Sequence, residues 1–420
     1  MGSISKMNAV AACIVFWLAL VTDSQSAQLH VKKPGYQTIE DANDKAGSDF
    51  DVKKYGAKAD GKCDDSKAIA SAWEEACKSA NASTLVISKG DYLVGYAMFK
   101  GPCKSPVTIR MEGTLKAPAD VKKSSSHDGW VVFQNIDGLT VHGDGTFDGQ
   151  GSAAWAANDC RKTGKCNSLP INIRFSSVTN SKIQGITSLN SKLFHMNILN
   201  CKNLTLQQIT ITAPEKSLNT DGIHIGRSNG VNITGANIKT GDDCVSLGDG
   251  SQNVNIENVT CGPGHGISVG SLGRYHDEQP VTGVTVKNCT LTNTMNGVRV
   301  KTWPASPSGV ASDMHFEDII MNNVSTPIII DQEYCPYGQC QAKIPSRVRV
   351  SNVSFKNIWG TSATKIAVKL ICSKGIPCQK VDISDVTLTY HGKGAAISEC
   401  SNVDPKVSGK LVPPVCGKFP

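Results

Sequence analysis

The chain has 420 residues, a formal net charge of +7, 40% hydrophobic and only 6% aromatic residues. That length has room for two or three ordinary domains, but repeat architectures grow along one axis as one long domain. The alternation of Val, Ile, Thr and Asn through residues 130–390 favours that reading. Beyond the N-terminal segment no run approaches the roughly 20 apolar residues that a membrane-spanning helix needs.

Residues 1–27 read as a secretory signal, with Lys6 ahead of an apolar run from Ala9 to Val21 and small residues for cleavage between Ser24 and Gln28. A membrane anchor is the competing reading, but the run is shorter than the roughly 20 residues a span requires. Cleavage removes Lys6 and Asp23 together and leaves the net charge at +7. A mildly basic charge suits an acidic partner such as a uronic-acid polymer, and equally fits nucleic acid or a merely soluble surface. Residues 28–49 are polar and aperiodic and are predicted to form a mobile leader, with one domain over 50–420. Phe50-Asp-Val-Lys-Lys-Tyr-Gly56 reads as a first strand and turn. Asp64-Asp-Ser66 is placed to cap a short α-helix with the apolar face Ala68, Ile69, Ala72, Trp73, Ala76 and Cys77, which covers the open end of a solenoid.

From Trp130 onward short alternating strands recur at Trp130–Phe133, Leu139–Val141, Ile171–Ile173, Phe194–Met196, Leu204–Leu206, Val231–Ile233, Val254–Ile256 and Val284–Val286. Read as one series, they step by 23 residues from Val231 to Val254 and by 30 from Val254 to Val284. The excess predicts an inserted loop at Leu272–Pro280, beside a cleft. Sixteen Cys are present, and Cys13 falls in the signal, so an odd number remains and at least one thiol is unpaired. Cys160 with Cys166, Cys335 with Cys340, Cys372 with Cys378 and Cys400 with Cys416 read as loop staples of an oxidising compartment. Zinc binding is disfavoured, because no CxxC pair occurs and the His residues are scattered. Asn-x-Ser/Thr sequons begin at Asn81, Asn203, Asn232, Asn258, Asn288, Asn323 and Asn352. Their recurrence at similar places in successive coils reads as Asn and Thr stacking at turns, with a minority carrying glycan.

A stride of 22 residues separates Asp221 from Asp243 and Asp243 from His265, and each opens a similar phrase: Asp221-Gly-Ile-His-Ile-Gly226, Asp243-Cys-Val-Ser-Leu-Gly248 and His265-Gly-Ile-Ser-Val-Gly270. A fixed period ending in Gly marks the stacked coils of a parallel β-helix, with strands roughly 4.7–4.9 Å apart. The fold is therefore predicted as all-β, a single-domain right-handed parallel β-helix with the short helix at its N-terminal end. The next coil, Asn296-Gly-Val-Arg-Val-Lys301, sets Arg299 beside Ser268 and Lys301 beside Gly270. These two cations either neutralise the acidic cluster or bind a substrate carboxylate. With Asp242 the cluster has three carboxyl groups, which cannot all ionise cheaply, so one keeps a proton to donate. Glycoside hydrolysis needs that division between an acid and a base. Asp221 and Asp243 share a column and can hold one water, which leaves Asp242 as the acid. Calcium is the rival ligand, opposed by Arg299, Lys301 and His265, which offer no oxygen ligands and repel a cation.

Asn219-Thr-Asp221, Gly241-Asp-Asp243, Gly264-His-Gly266 and Arg299-Val-Lys301, in this order and on a coil period, resemble the motifs of the polygalacturonases of glycoside hydrolase family 28, and look most similar to the exo-acting plant pollen type. The resemblance implies a right-handed β-helix and inverting hydrolysis of α-1,4-galacturonan from the non-reducing end. It makes Asp242 the proton donor, Asp221 and Asp243 the activators of water, and His265 the residue that tunes the donor. Arg299 and Lys301 would hold the galacturonate carboxylate, Asn219 would shape the site and Tyr334 would contact substrate. Val300 stands where Ile is common. The resemblance further implies a secreted, cell-wall monomer acting on homogalacturonan, with no cofactor or metal and neither nucleic acid nor membrane as partner. An inverting pair should stand roughly 6.5–9.5 Å apart. Endo action, a pectate lyase and a non-catalytic, allergen-like wall-binding β-helix are the alternatives.

Overall fold

The computed structural model describes residues 48–120, 128–158, 169–336 and 338–416. The predicted signal, most of the predicted leader and the Cys160/Cys166 pair lie outside the described residues. Almost every element is a short strand paired in parallel with the strand one coil before and one coil after it. The result is a right-handed parallel β-helix, whose coils contribute to a 21-stranded and an 11-stranded sheet.

The 11-stranded sheet carries the motifs. Its strands Met196–Leu199, Ile223–Gly226, Val245–Leu247, Ile267–Leu272 and Asn296–Thr302 stack in order and in register. Alternation along each strand sends one residue in two inward, and the inward positions form ladders: Phe99, Phe133, Phe175, Ile198, Ile225, Leu247, Val269, Val300, Ile330 and Leu370. All are buried, and the three Phe rings stack at 4.9 Å between successive centroids. Val300 lies in this ladder, so Val in place of Ile changes core volume and leaves the outward face untouched. The intervening residues form an outward ladder, Arg174, Asn197, His224, Ser246, Ser268, Arg299, Ile329 and Lys369.

Three sequence expectations change here. The first strand begins at Ser48, two residues earlier than expected, because Ser48–Asp51 pairs with Ser83–Ile87. The recurring strands are two series: Trp130, Ile171 and Met196 belong to the 11-stranded sheet, whereas Leu139, Leu204, Val231, Val254 and Val284 belong to the other. Each coil contains both kinds of strand, and their similar alternation merges them in sequence. The helix spans Ser66–Lys78 and buries Ala68, Ile69, Ala72, Trp73 and Ala76. Asp64 accepts from the Ser66 amide at 2.9 Å, whereas buried Asp65 accepts from the amides of Lys58 and Ala59.

Cys335–Cys340, Cys372–Cys378 and Cys400–Cys416 are disulfides, and so are Cys77–Cys103 and Cys244–Cys261, whose wider spacing hides them in sequence. Cys201 and Cys289 are buried unpaired thiols that burial pushes up to about 11 and about 12. Among the sequons, Asn203, Asn288, Asn323 and Asn352 donate through Nδ2 to a residue one coil away, and Asn232 accepts from Asn255, as stacked turn residues should.

Candidate active site

The register of Ile223 with Val245, Val245 with Ile267 and Ile267 with Val298 stacks the residues two positions earlier, Asp221, Asp243, His265 and Asn296, at one corner of successive coils. Backbone bonds lock that corner: the Gly222 amide donates to the Asp243 carbonyl and the His265 amide to the Asp242 carbonyl. The glycine in second place of these phrases has a packing cause. A Cβ on Gly222 would sit 2.4 Å from the Cys244 carbonyl oxygen, and one on Gly266, which also has φ of 90°, would sit 2.2 Å from that of Asn296. Where the phrase has Cys244 instead, the side chain points into the core and is bridged to Cys261.

Asp242 is the most accessible of the three acids, with its side chain 21% exposed. Its Oδ1 lies 3.0 Å from His265 Nδ1 and accepts from the Asp243 amide, and its Oδ2 is 3.5 Å from Asn219 Nδ2. Asn219 holds φ of 56°, a left-handed conformation that Asn tolerates. Asp243 is buried and accepts from Arg299 Nη2 at 2.9 Å and Ser268 Oγ at 2.9 Å on one oxygen, and from Lys301 Nζ at 2.7 Å on the other. Burial raises its pKa, but the charges of Lys301 and Arg299 outweigh burial and hold it at about 2. Asp221 accepts from Ser246 Oγ at 2.9 Å and meets no cation directly; burial first, then the charges of Asp242 and Asp243, push it well above the usual carboxylate range. The structure thus shifts two chemically identical side chains in one column in opposite directions, Asp243 held low by its two cations and Asp221 raised by burial and its acidic neighbours.

Arg299 and Lys301 both turn to Asp243, so each does the neutralising task that the sequence left as one of two options. Tyr334 joins them: its ring centroid is 5.2 Å from Lys301 Nζ and 5.8 Å from Arg299 Cζ, and its amide donates to the Thr302 carbonyl. All eight residues singled out from sequence therefore meet in one place. Oxygens of Asp242 and Asp243 and a ring nitrogen of His265 come within 4.8 Å of one another. A cation bound there would have to compete with Arg299 and Lys301 for Asp243. The nearest oxygens of Asp242 and Asp243 thus stand closer than the roughly 6.5–9.5 Å expected between the carboxyl groups of an inverting pair, a shortfall that counts against inversion and is decided by the anomer of the product. They are consecutive residues, which tethers their carboxyl groups more closely than carboxylates on separate elements.

Sequence reasoning missed His224, Ser246 and Ser268. His224 Nδ1 is 2.8 Å from Ser246 Oγ, which donates to Asp221, while Ser268 links Arg299 Nε to Asp243. They share the stride of 22, as the fourth residue of each phrase, and the same spacing could have revealed them. Phe194 packs over His224 with ring centroids 5.1 Å apart. Burial pushes His224 down to about 4, despite the opposing charges of Asp243 and Asp249, and pushes His195, bonded to Ser188 seven residues before it, to about 3. Both imidazoles stay neutral in the fold where the unfolded chain would protonate them near 6.5. Their stabilising contribution is therefore complete above 6.5 and is lost as pH falls through 4 and then 3. Asp221 acts oppositely: its raised pKa favours the fold at acid pH, and that term disappears as pH rises through it. We expect the midpoint of urea unfolding to fall on acidification below 6.5, and the fall to be shallower in His195→Asn. Parallel pH profiles for variant and wild type would exclude His195 as a source.

Three carboxyl groups, an imidazole and two cations thus meet at one corner of a parallel β-helix, and the relatives of the chain give this site its class, that of a carbohydrate-active enzyme. The chain matches the family model described as glycosyl hydrolases family 28 over residues 77–409 and belongs to that family. It is 64% identical over 374 residues to an exopolygalacturonase of Arabidopsis thaliana, covering 89% of this chain and 84% of that one. It is 57% identical over 355 residues to an exopolygalacturonase of Oenothera organensis, covering 84% and 98%. Among solved structures it is similar to an endo-xylogalacturonan hydrolase from Aspergillus tubingensis, with a TM-score of 0.72 at 26% identity over 84% of this chain and 97% of that one. An exopolygalacturonase from Thermotoga maritima shares the fold, with a TM-score of 0.69 at 20% identity over 85% and 91%.

Proposed function

We propose that this protein is a secreted, monomeric exopolygalacturonase of the cell wall that hydrolyses α-1,4-galacturonosyl linkages of homogalacturonan from the non-reducing end, with inversion. The observation that carries the reading is the meeting of accessible Asp242 on His265 with buried Asp243 on Arg299 and Lys301 at one corner of the coils, and the exopolygalacturonases among its relatives support exo action. Asp242, the accessible acid, protonates the glycosidic oxygen as its bond to the anomeric carbon breaks, and His265 orients it. A water flanked by Asp221 and Asp243 attacks that carbon from the opposite side. Its proton passes to ionised Asp243, while Asp221 orients it. Arg299 and Lys301 place two positive charges against the single carboxylate of Asp243, and the surplus draws a uronate carboxylate into the site. Asn219 shapes the donor's surroundings and Tyr334 packs against the sugar. Nothing in this scheme requires a metal or cofactor.

Digestion of polygalacturonate, with products separated by chain length and followed by proton NMR, tests the reading. Monomeric galacturonate is expected from the first time point, released as the β-anomer. Mixed oligomers would support endo action, an α-anomer would remove inversion, and unsaturated products abolished by a chelator would support a lyase.

A further inference from the structure

We propose that Arg274, with the rings of Trp303 and Tyr275, forms a second uronate-binding position, which takes the galacturonate adjacent to the one held by Arg299 and Lys301. The proposal rests on the polygalacturonase reading above. Arg274 lies in the inserted loop after the strand Ile267–Leu272, and its guanidinium carbon stands 5.3 Å from the Trp303 ring centroid and 5.6 Å from that of Tyr275. Trp303 meets Tyr334 edge to face at 5.4 Å between centroids, and Tyr334 lies over Lys301 and Arg299. A strip therefore runs outward from the catalytic column in the order cation, aromatic ring, aromatic ring, cation, aromatic ring. A polyuronate presents the complementary pattern, since every sugar ring carries one carboxylate.

Arg274 is exposed and unneutralised, and the surrounding loop keeps it so. Asp277 and Glu278 follow it closely in sequence, but Glu278 spends its carboxylate on the amides of Gly273, Arg274 and Tyr275. Asp277 and Asp249 both bind Arg227, and Asp249 also accepts from the Gln279 amide. Among the described residues no carboxylate forms an ion pair with Arg274, although the loop itself carries Asp277 and Glu278. The same bonds fix the loop. Stacking on Trp303 pre-orients the guanidinium, which lowers the ordering cost when an anion binds. Tyr275, 60% exposed, adds a flat apolar surface beside it.

Arg274→Met and Arg274→Lys are compared with the wild type on digalacturonate, trigalacturonate and polygalacturonate, with urea unfolding as the control for folding. For Arg274→Met we expect KM to rise about tenfold on the trimer and the polymer, with kcat little changed and the dimer unaffected, because a dimer fills only the two positions flanking the broken bond, one of them that of Arg299 and Lys301, and the neighbour of that sugar on the far side from the bond is the third. Arg274→Lys should recover part of the loss. A KM that is unchanged at every length, or raised equally on dimer and trimer, overturns the proposal. Wild-type protein that releases no galacturonate from any of the three overturns the polygalacturonase reading itself, and this outcome is distinct because it precedes any comparison of variants.

Discussion

Asp242→Asn should fold as the wild type does and lose about a hundred- to ten-thousandfold in kcat on polygalacturonate, the range that removal of a general acid produces. The amide keeps the size and most hydrogen bonds of the carboxyl group, so contacts to His265, Asn219 and the Asp243 amide survive in altered polarity. What disappears is a proton that can move to the leaving oxygen. Among the three acids this one is the most accessible, whereas Asp221 and Asp243 are 7% and 1% exposed. KM should change little, because the group acts in the transition state more than in binding. A folded variant within about tenfold of wild-type kcat would place the donor elsewhere, and Asp221, whose pKa burial raises, becomes the next candidate.

Lys301→Met is expected to cost stability as well as activity. Lys301, Arg299 and Asp243 have side chains 8%, 11% and 2% exposed, so the network is desolvated. Removing one member of such a network leaves a poorly compensated buried charge, at a cost of about 3–5 kcal/mol in comparable cases. The second cation, Arg299, remains on Asp243, so the lower end of that range is expected. Urea denaturation gives the measurement. The Asp243→Asn/Lys301→Met double variant is the control: if the network is the cause, the double variant loses less than the two single losses combined. Equal urea midpoints for Lys301→Met and wild type would show that Arg299 alone satisfies Asp243, and would leave Lys301 with substrate binding as its role.

Much of the site was legible because in-register stacking turns equal sequence spacing into adjacency. The stride of 22 brought Asp221, Asp243 and His265 together, and the inserted loop accounted for the longer step to Arg299 and Lys301. The difference in ionisation between Asp221 and Asp243 was not legible, because it depends on where the Arg299 and Lys301 side chains end. Both were expected near the cluster, but their common choice of Asp243 follows from their rotamers and from Ser268, which ties Arg299 to it. The merging of two strand series had a different cause. Strands of both sheets bury alternate Val, Ile and Leu residues in the same core, so hydrophobic period alone cannot assign a strand to its sheet. Arg274 had no periodic signal at all, since it sits in the segment that breaks the period.

Parallel pairing also makes the molecule a ruler. Each coil advances the stack by one inter-strand spacing, roughly 4.8 Å, whatever length of chain lies between consecutive strands. The step from Ile267 to Val298 consumes 31 residues and that from Val245 to Ile267 only 22, yet both are single graduations. A segment of different length or composition grafted between Leu272 and Val281 would therefore leave Ser268 beside Arg299. The loop that carries Arg274 and the column that carries the carboxylates are separable stretches of this chain, and the first can be rewritten while the second stays in place.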